Sequence, residues 1–123
     1  MMSKRILVSE DDSDIRSLVL AVLEDAGYSV GASVGAATLA DAEANPPDLI
    51  LLDYQMPGMD GVDVARRLRS NPDTAGIPII AMTAAGRAAI VCHEMDANGC
   101  LGKPFDIDQL VDTVDQMMHT THG

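Results

Sequence analysis

Apolar positions along the chain follow two recurring patterns. Short continuous apolar runs occupy residues 6–8, 49–52 and 77–82, and such runs are typical of strands buried on both faces of a parallel sheet. Between them, apolar residues recur every three or four positions, which indicates helices with one buried face. The two clearest helical stripes are Ile15, Leu18, Val19, Val22, Leu23 and Ala26, and Ile107, Leu110, Val111, Val114, Met117 and Met118.

Capping residues mark the ends of these two helices. Ser13 is the predicted N-cap of the first helix, Gly27 stands where a glycine ends a helix, and Asp106 is the predicted N-cap of the last one. Weaker patterns predict helices at about 36–44, 62–70 and 88–97 and strands near 29–32 and 100–102. The βα unit therefore repeats five times, which predicts one α/β domain over residues 1–123, a doubly wound (βα)5 sandwich with a five-stranded parallel sheet.

The amino-acid composition narrows the range of possible binding partners. Eight Lys and Arg against nineteen Asp and Glu give a net charge of −11, and this charge argues against direct binding to nucleic acid or to anionic membranes. No apolar run approaches the roughly 20 residues that span a bilayer. The small basic run of Arg66, Arg67 and Arg69 is expected to face solvent. Cys92 and Cys100 are expected to pack as small apolar side chains in a reducing, cytoplasmic compartment.

Polar side chains follow four of the predicted strands, at the edge where ligands of such sheets bind. They are Glu10, Asp11 and Asp12 after the first strand, Asp53 after the third, Thr83 after the fourth and Lys103 after the fifth. Two carboxylates about 4 Å apart repel by roughly 4 kcal/mol at an effective dielectric constant of 20. A divalent cation relieves this repulsion, and oxygen ligands suit Mg²⁺ or Mn²⁺. With a metal bound, Asp53 can act as a nucleophile towards a phosphoryl group, whose oxygens Lys103 and Thr83 can contact.

Motifs around these residues extend the pattern. They are the acidic pair after the first strand, the run Leu-Asp-Tyr-Gln-Met-Pro-Gly-Met-Asp-Gly over residues 52–61, Met82-Thr83-Ala84 and Lys103-Pro104-Phe105. In this order and spacing they resemble the receiver domains of two-component response regulators, which have the flavodoxin/CheY-like fold. The likeness covers essentially the whole chain.

The resemblance implies a phosphoacceptor switch. Asp53 would accept phosphate from a histidine kinase or a histidine phosphotransfer protein, and Thr83 and Lys103 would contact the phosphoryl group. The implied ligands of Mg²⁺, or of Mn²⁺, are Glu10, Asp11, Asp53 and the main-chain carbonyl of Gln55. Such a domain catalyses only its own phosphorylation and dephosphorylation, so it is not an enzyme acting on a metabolite. Family members usually hold the bond between Lys103 and Pro104 in cis.

Departures from the family pattern concern signal output to an unknown downstream protein. Cys100 stands three positions before Lys103, where the family usually has a switch aromatic. The stretch from Thr83 to Lys103 is about two residues shorter than usual, so the loop around Gly86 is expected to be remodelled. Dimerisation through the fourth helix, fifth strand and fifth helix stays open.

Two other functions fit the residues less well. A haloacid-dehalogenase-like phosphatase needs an acid two positions after its nucleophile, and Gln55 at that position cannot transfer a proton. A flavodoxin-like nucleotide module needs a phosphate loop rich in Ser, Thr and Gly, whereas the acids at 10–12 would repel phosphate. The sequence does not decide between a free-standing regulator and part of a larger protein.

Overall fold

The predicted alternation of strands and helices is confirmed by a computed structural model. It describes residues 4–56 and 58–120, so Pro57 of the sequence motif and the three residues at each end lie outside the description. The elements in order are β1 (Arg5–Ser9), α1 (Ser13–Asp25), β2 (Ser29–Ser33), α2 (Ala36–Ala44), β3 (Leu49–Asp53), α3 (Gly61–Ser70), β4 (Ile79–Ala84), a 3-10 turn (Ala85–Arg87), α4 (Ala88–Glu94), β5 (Gly99–Lys103) and α5 (Ile107–Thr120). All strand pairs are parallel, in the order β2-β1-β3-β4-β5.

Alternate residues of the strands build one core on each face of the sheet. In β3, Leu49 and Leu51 pack with residues of α1 and α5, whereas Ile50 and Leu52 pack with residues of α2, α3 and α4. Every residue of β3 is buried, which explains why its sequence is a continuous apolar run rather than an alternating one. Because β3 is the middle strand, its carboxyl end lies at the centre of one sheet edge.

The caps of α1 and α5 partly match the prediction. Asp12, rather than Ser13, is the N-cap of α1, because its side chain accepts hydrogen bonds of 2.9 and 3.1 Å from two N–H groups of the first turn. A carboxylate is also favoured at this positive helix end. Gly27 follows the helix with a φ of 101°, as predicted. Asp106 caps α5 through reciprocal hydrogen bonds with Gln109.

The segment before β5 differs from the sequence prediction. Helix α4 ends at Glu94 instead of near residue 97, and Asp96 has a φ of 50°, which the helix cannot continue through. The loop around Gly86, which was expected to be remodelled, is a 3-10 turn that runs directly into α4.

Cys92 and Cys100 are joined by a disulfide, so the prediction of two separate apolar side chains is wrong. Cys92 lies on α4 and Cys100 on β5, and the Cα atoms are 5.7 Å apart. The chain reverses at Asp96, so that the end of α4 lies against β5. The separation of eight residues between the two cysteines does not by itself indicate this reversal. Both residues are half-buried.

The prediction that Arg69 faces solvent is also wrong, because its guanidinium is held by hydrogen bonds within the protein. Its guanidinium donates to the main-chain oxygens of Ala75, Ile77 and Asp96 at 2.9, 2.7 and 3.1 Å, and to Asn98 Oδ1 at 2.8 Å. The Asn98 oxygen also accepts the N–H of Ile79 at 2.9 Å. One side chain thus ties α3 to the segments that enter β4 and β5.

Arg69→Gln is expected to destabilise the fold by about 2 kcal/mol, because several charge-assisted hydrogen bonds are lost and three carbonyl groups lose a donor. Arg66→Gln is the matched control on the same helix, since Arg66 is 70% exposed and its contact with Asp63 is 3.5 Å long. That change should cost less than about 0.5 kcal/mol. Urea denaturation of the three proteins measures both values, and equal losses would contradict the anchoring role.

Across residues 4–56 and 58–120, no helix combines the length and apolar character needed to cross a bilayer.

Candidate functional site

Asp53 lies at the meeting point of the predicted site residues. It is the last residue of β3, pairs in register with Met82 of β4, and is 5% exposed. Glu10 directly follows β1 and is 1% exposed, and Thr83 near the end of β4 is 6% exposed. Because the carboxyl ends of parallel strands share one edge, these side chains line a single cleft together with Lys103.

Lys103 bridges the two buried acids. Its Nζ lies 2.7 Å from Glu10 Oε1 and 3.1 Å from Asp53 Oδ1. The side chain reaches them from the end of β5, next to a cis peptide bond between Lys103 and Pro104, as the resemblance implied. One ammonium therefore forms ion pairs with two carboxylates that are almost completely buried. Removing this ammonium would leave both carboxylates without their electrostatic compensation.

Three carboxylates lie close enough to hold one cation. Glu10, Asp11 and Asp53 each offer an oxygen, and these oxygens all lie within 4.8 Å of one another. Asp11 is exposed, so the group opens to solvent on its side. When all three are ionised, their negative charge exceeds that of the Lys103 ammonium and favours a divalent cation, and the all-oxygen donor set fits Mg²⁺ or Mn²⁺. Gln55 lines the same cleft.

Two further contacts orient Glu10. The main-chain N–H of Asp12 donates to Glu10 Oε2 at 3.2 Å, and Arg16 Nη1 donates to the main-chain oxygen of Glu10 at 3.0 Å. With Lys103 on the other carboxylate oxygen, both Glu10 oxygens are held by donors. Arg16 was not anticipated from sequence, where its spacing from Glu10 carries no signal.

The surroundings of the cleft shift the pKa values of both Asp53 and Lys103. Burial raises the pKa of Asp53 to about 7, and the hydrogen bond and negative charge of Glu10 act in the same direction, while Lys103 opposes them without cancelling them. Burial by itself would lower the pKa of Lys103, but its contacts with Glu10 and Asp53 outweigh this and raise it. Lys103 is therefore charged at neutral pH, and a cation near Asp53 would favour its carboxylate form.

The cleft has a volume of about 960 Å³ and extends beyond the charged residues. Its other lining residues are Asp12, Ile15, Leu18, Tyr54, Met56, Asp60, Ala84, Arg87, Pro104 and Phe105. The guanidinium carbon of Arg87 lies 5.6 Å from the centre of the Tyr54 ring, within reach of a cation–π contact. Sequence reasoning missed this pair because the two residues come from different loops.

Two glycines allow the backbone to close around the site. A Cβ on Gly61 would overlap the main-chain oxygen of Asp53 and lie 2.9 Å from Tyr54 Cα. A Cβ on Gly102 would lie 2.8 Å from Ala85 Cα. The start of α3 therefore packs directly on the end of β3, and β5 packs directly on the 3-10 turn, so neither position has room for a side chain.

Comparison with known proteins identifies the class that this fold and cleft define. The family model of the response regulator receiver domain matches residues 6–115. The chain belongs to this family and is a receiver domain of two-component signalling.

Relatives of known sequence agree with this assignment. The chain is 39% identical over 120 residues to the DNA-binding dual master transcriptional regulator RpaA of Synechocystis, with 95% of this chain and 50% of that protein covered. It therefore spans about half the length of that regulator. It is also 36% identical to the sporulation initiation phosphotransferase F of Bacillus subtilis, with 93% of each chain covered.

Solved structures share the fold. A putative response regulator from Chloroflexus aurantiacus superposes with a TM-score of 0.91 at 31% identity, covering 96% of this chain and 99% of the other. The receiver domain of a sensor histidine kinase from Pseudomonas aeruginosa, with a magnesium ion coordinated in its active-site cleft, has a TM-score of 0.87 at 28% identity. The superposition covers 96% of this chain and 99% of that receiver domain.

Proposed function

We propose that Asp53 is the phosphoacceptor of this receiver domain and that the donor is a phosphohistidine on a histidine kinase or a histidine phosphotransfer protein. A carboxylate oxygen of Asp53 attacks phosphorus, the bond from phosphorus to the imidazole nitrogen breaks, and an aspartyl phosphate forms. The observation that carries this proposal is the contact of Lys103 with both Asp53 and Glu10 inside the cleft.

Each neighbouring residue has a role that its position supports. Lys103, already 3.1 Å from Asp53, would pair with a phosphoryl oxygen, and the Thr83 hydroxyl would donate to another. Glu10, Asp11, Asp53 and the main-chain carbonyl of Gln55 would hold Mg²⁺, or Mn²⁺. When bound, the ion neutralises charge on the transferring phosphoryl group.

Phosphorylation of Asp53 would act as a switch rather than as a step in metabolite turnover. The new phosphoryl group adds negative charge and acceptor oxygens at the cleft. If Lys103 and Thr83 turn to those oxygens, the ends of β4 and β5 change their contacts, and a face presented to a downstream protein changes with them.

We propose protein partners rather than nucleic acid for residues 1–123, taken as one receiver domain. The net charge of −11 repels a phosphate backbone. RpaA of Synechocystis is described as DNA-binding, but the match covers 50% of its length, so its DNA binding need not reside in the matched half.

Intact mass after incubation with acetyl phosphate and Mg²⁺ tests the proposal. The wild-type chain should gain one phosphate, and Asp53→Asn should gain none because the amide is not a nucleophile. Asp73→Asn is the matched control, since Asp73 is an exposed acid outside the cleft, and it should gain phosphate like the wild type. Phosphate on Asp53→Asn, or its absence from the wild type, would overturn the assignment.

A further inference from the structure

The disulfide between Cys92 and Cys100 forms a second chemically reactive site, separate from the cleft. Its Cα separation of 5.7 Å falls within the range of about 4.4–6.8 Å that disulfides require. The two backbone positions are therefore close enough for a disulfide to join them. The bond connects α4 to β5, two elements that are not otherwise covalently linked except through residues 95–98.

The surroundings of the two sulfur atoms also suit the reduced form. Cys100 Sγ lies 3.2 Å from the main-chain oxygen of Ala88, and Cys92 Sγ lies 3.9 Å from that of Ala97. Each sulfur thus has a carbonyl acceptor within reach of an S–H group. Both residues are half-buried, so the pair is not sealed inside the core.

The fold does not depend on the bond for its core. Val91 on α4 and Met95 directly after the helix are 0% and 1% exposed and belong to the core cluster on that face of the sheet. Asn98 holds the entry to β5 through hydrogen bonds with the main chain of Ile79. Apolar packing and these bonds keep α4 and β5 together, so the reduced protein is expected to remain folded.

The bond joins two segments that each lead to the cleft, β5 at its carboxyl end and α4 through the 3-10 turn that precedes it. Cys100 shares β5 with Lys103, and the helix of Cys92 follows the 3-10 turn that carries Arg87. Gly102 of β5 packs closely on Ala85 of this turn. A covalent link between α4 and β5 therefore limits how far the turn can move relative to Lys103.

We propose that Cys92 and Cys100 are a thiol–disulfide exchange site for a low-molecular-weight disulfide such as glutathione disulfide, and that oxidation restrains α4 on β5. One cysteine thiolate attacks glutathione disulfide, which forms a mixed disulfide and releases one glutathione. The second thiolate attacks the protein sulfur of the mixed disulfide and releases the second glutathione. The two protein thiols lose two protons and two electrons, and glutathione disulfide is reduced to two glutathione molecules.

Redox titration tests the chemistry. The full chain is equilibrated in glutathione buffers of increasing oxidised fraction, its free thiols are alkylated, and the intact mass is measured. We expect one transition from two alkylated thiols to none, with no retained glutathione. Cys92→Ser and Cys100→Ser should each retain one glutathione, since the resolving thiol is missing. Persistent free thiols, or a mixed disulfide on the wild type, would overturn the exchange site.

Hydrogen exchange tests the restraint. Amides of α4 should exchange about tenfold more slowly in the oxidised than in the reduced wild type, because local opening of the helix is restricted. The variant with both Cys92→Ala and Cys100→Ala should show no redox dependence, which controls for the buffer. Equal exchange of α4 in the two redox states of the wild type would overturn the restraint. Neither measurement involves phosphate on Asp53, so the proposal stands or falls independently of phosphoryl transfer.

Discussion

Lys103→Met is expected to destabilise the metal-free protein by about 3 kcal/mol near pH 8, because it leaves Glu10 and Asp53 buried without a cation. Both carboxylates are nearly inaccessible to water, and Lys103 is the ammonium that contacts them at 2.7 and 3.1 Å. The loss should shrink as the pH falls, because protonation of a carboxylate removes the repulsion that Lys103 had compensated. Urea denaturation at several pH values measures the change.

Two companion variants separate this effect from a general cost of losing a lysine. Lys4→Met removes an exposed lysine and should change the free energy of unfolding by less than about 0.5 kcal/mol. Asp53→Asn added to Lys103→Met should recover a large part of the loss, since one of the two uncompensated charges is gone. Independent, additive effects of the two site substitutions would contradict the charge coupling.

The sequence predicts the charged centre of the cleft because that centre depends on topology alone. Once five βα units are recognised, parallel strands must bring the residues after β1, β3, β4 and β5 to one edge. Glu10, Asp53 and Lys103 are found together there. The strand and helix order follows from the same apolar periodicity, with shifts of a few residues at several element ends.

Other contacts depend on how helices are rotated and where loops reverse, and the sequence pattern carries little information on either. Arg16 reaches the main chain of Glu10 only because α1 presents that side chain towards β1. Asp12 rather than Ser13 caps α1 because its side chain is the one that accepts from the N–H groups of Asp14 and Ile15. The pairing of Cys92 with Cys100 follows from the reversed turn at Asp96, a conformation that non-glycine residues seldom adopt.

The pKa of Asp53 leads to a second large effect: Asp53→Asn is expected to stabilise the metal-free protein. The carboxyl has a pKa of about 7 in the folded protein and of about 3.9 when unfolded. Between these values the folded state retains a proton that the unfolded state releases, so stability from this group is full below about pH 4 and is lost as the pH rises through about 7. An asparagine does not titrate and escapes this loss.

The gain should therefore be about 2–4 kcal/mol near pH 8 and less than about 1 kcal/mol near pH 4. Urea denaturation of wild type and Asp53→Asn across this range, in the presence of a chelator, gives the difference at each pH. Asp73→Asn, at an exposed position, should give a small difference that does not vary with pH. Added Mg²⁺ should then stabilise the wild type more than Asp53→Asn, because a cation that binds only the folded carboxylates adds its binding free energy to the folded state. A pH-independent gain for Asp53→Asn would mean that burial and Glu10 do not hold the Asp53 carboxyl protonated, and the charge balance of the cleft would then rest on Lys103 alone.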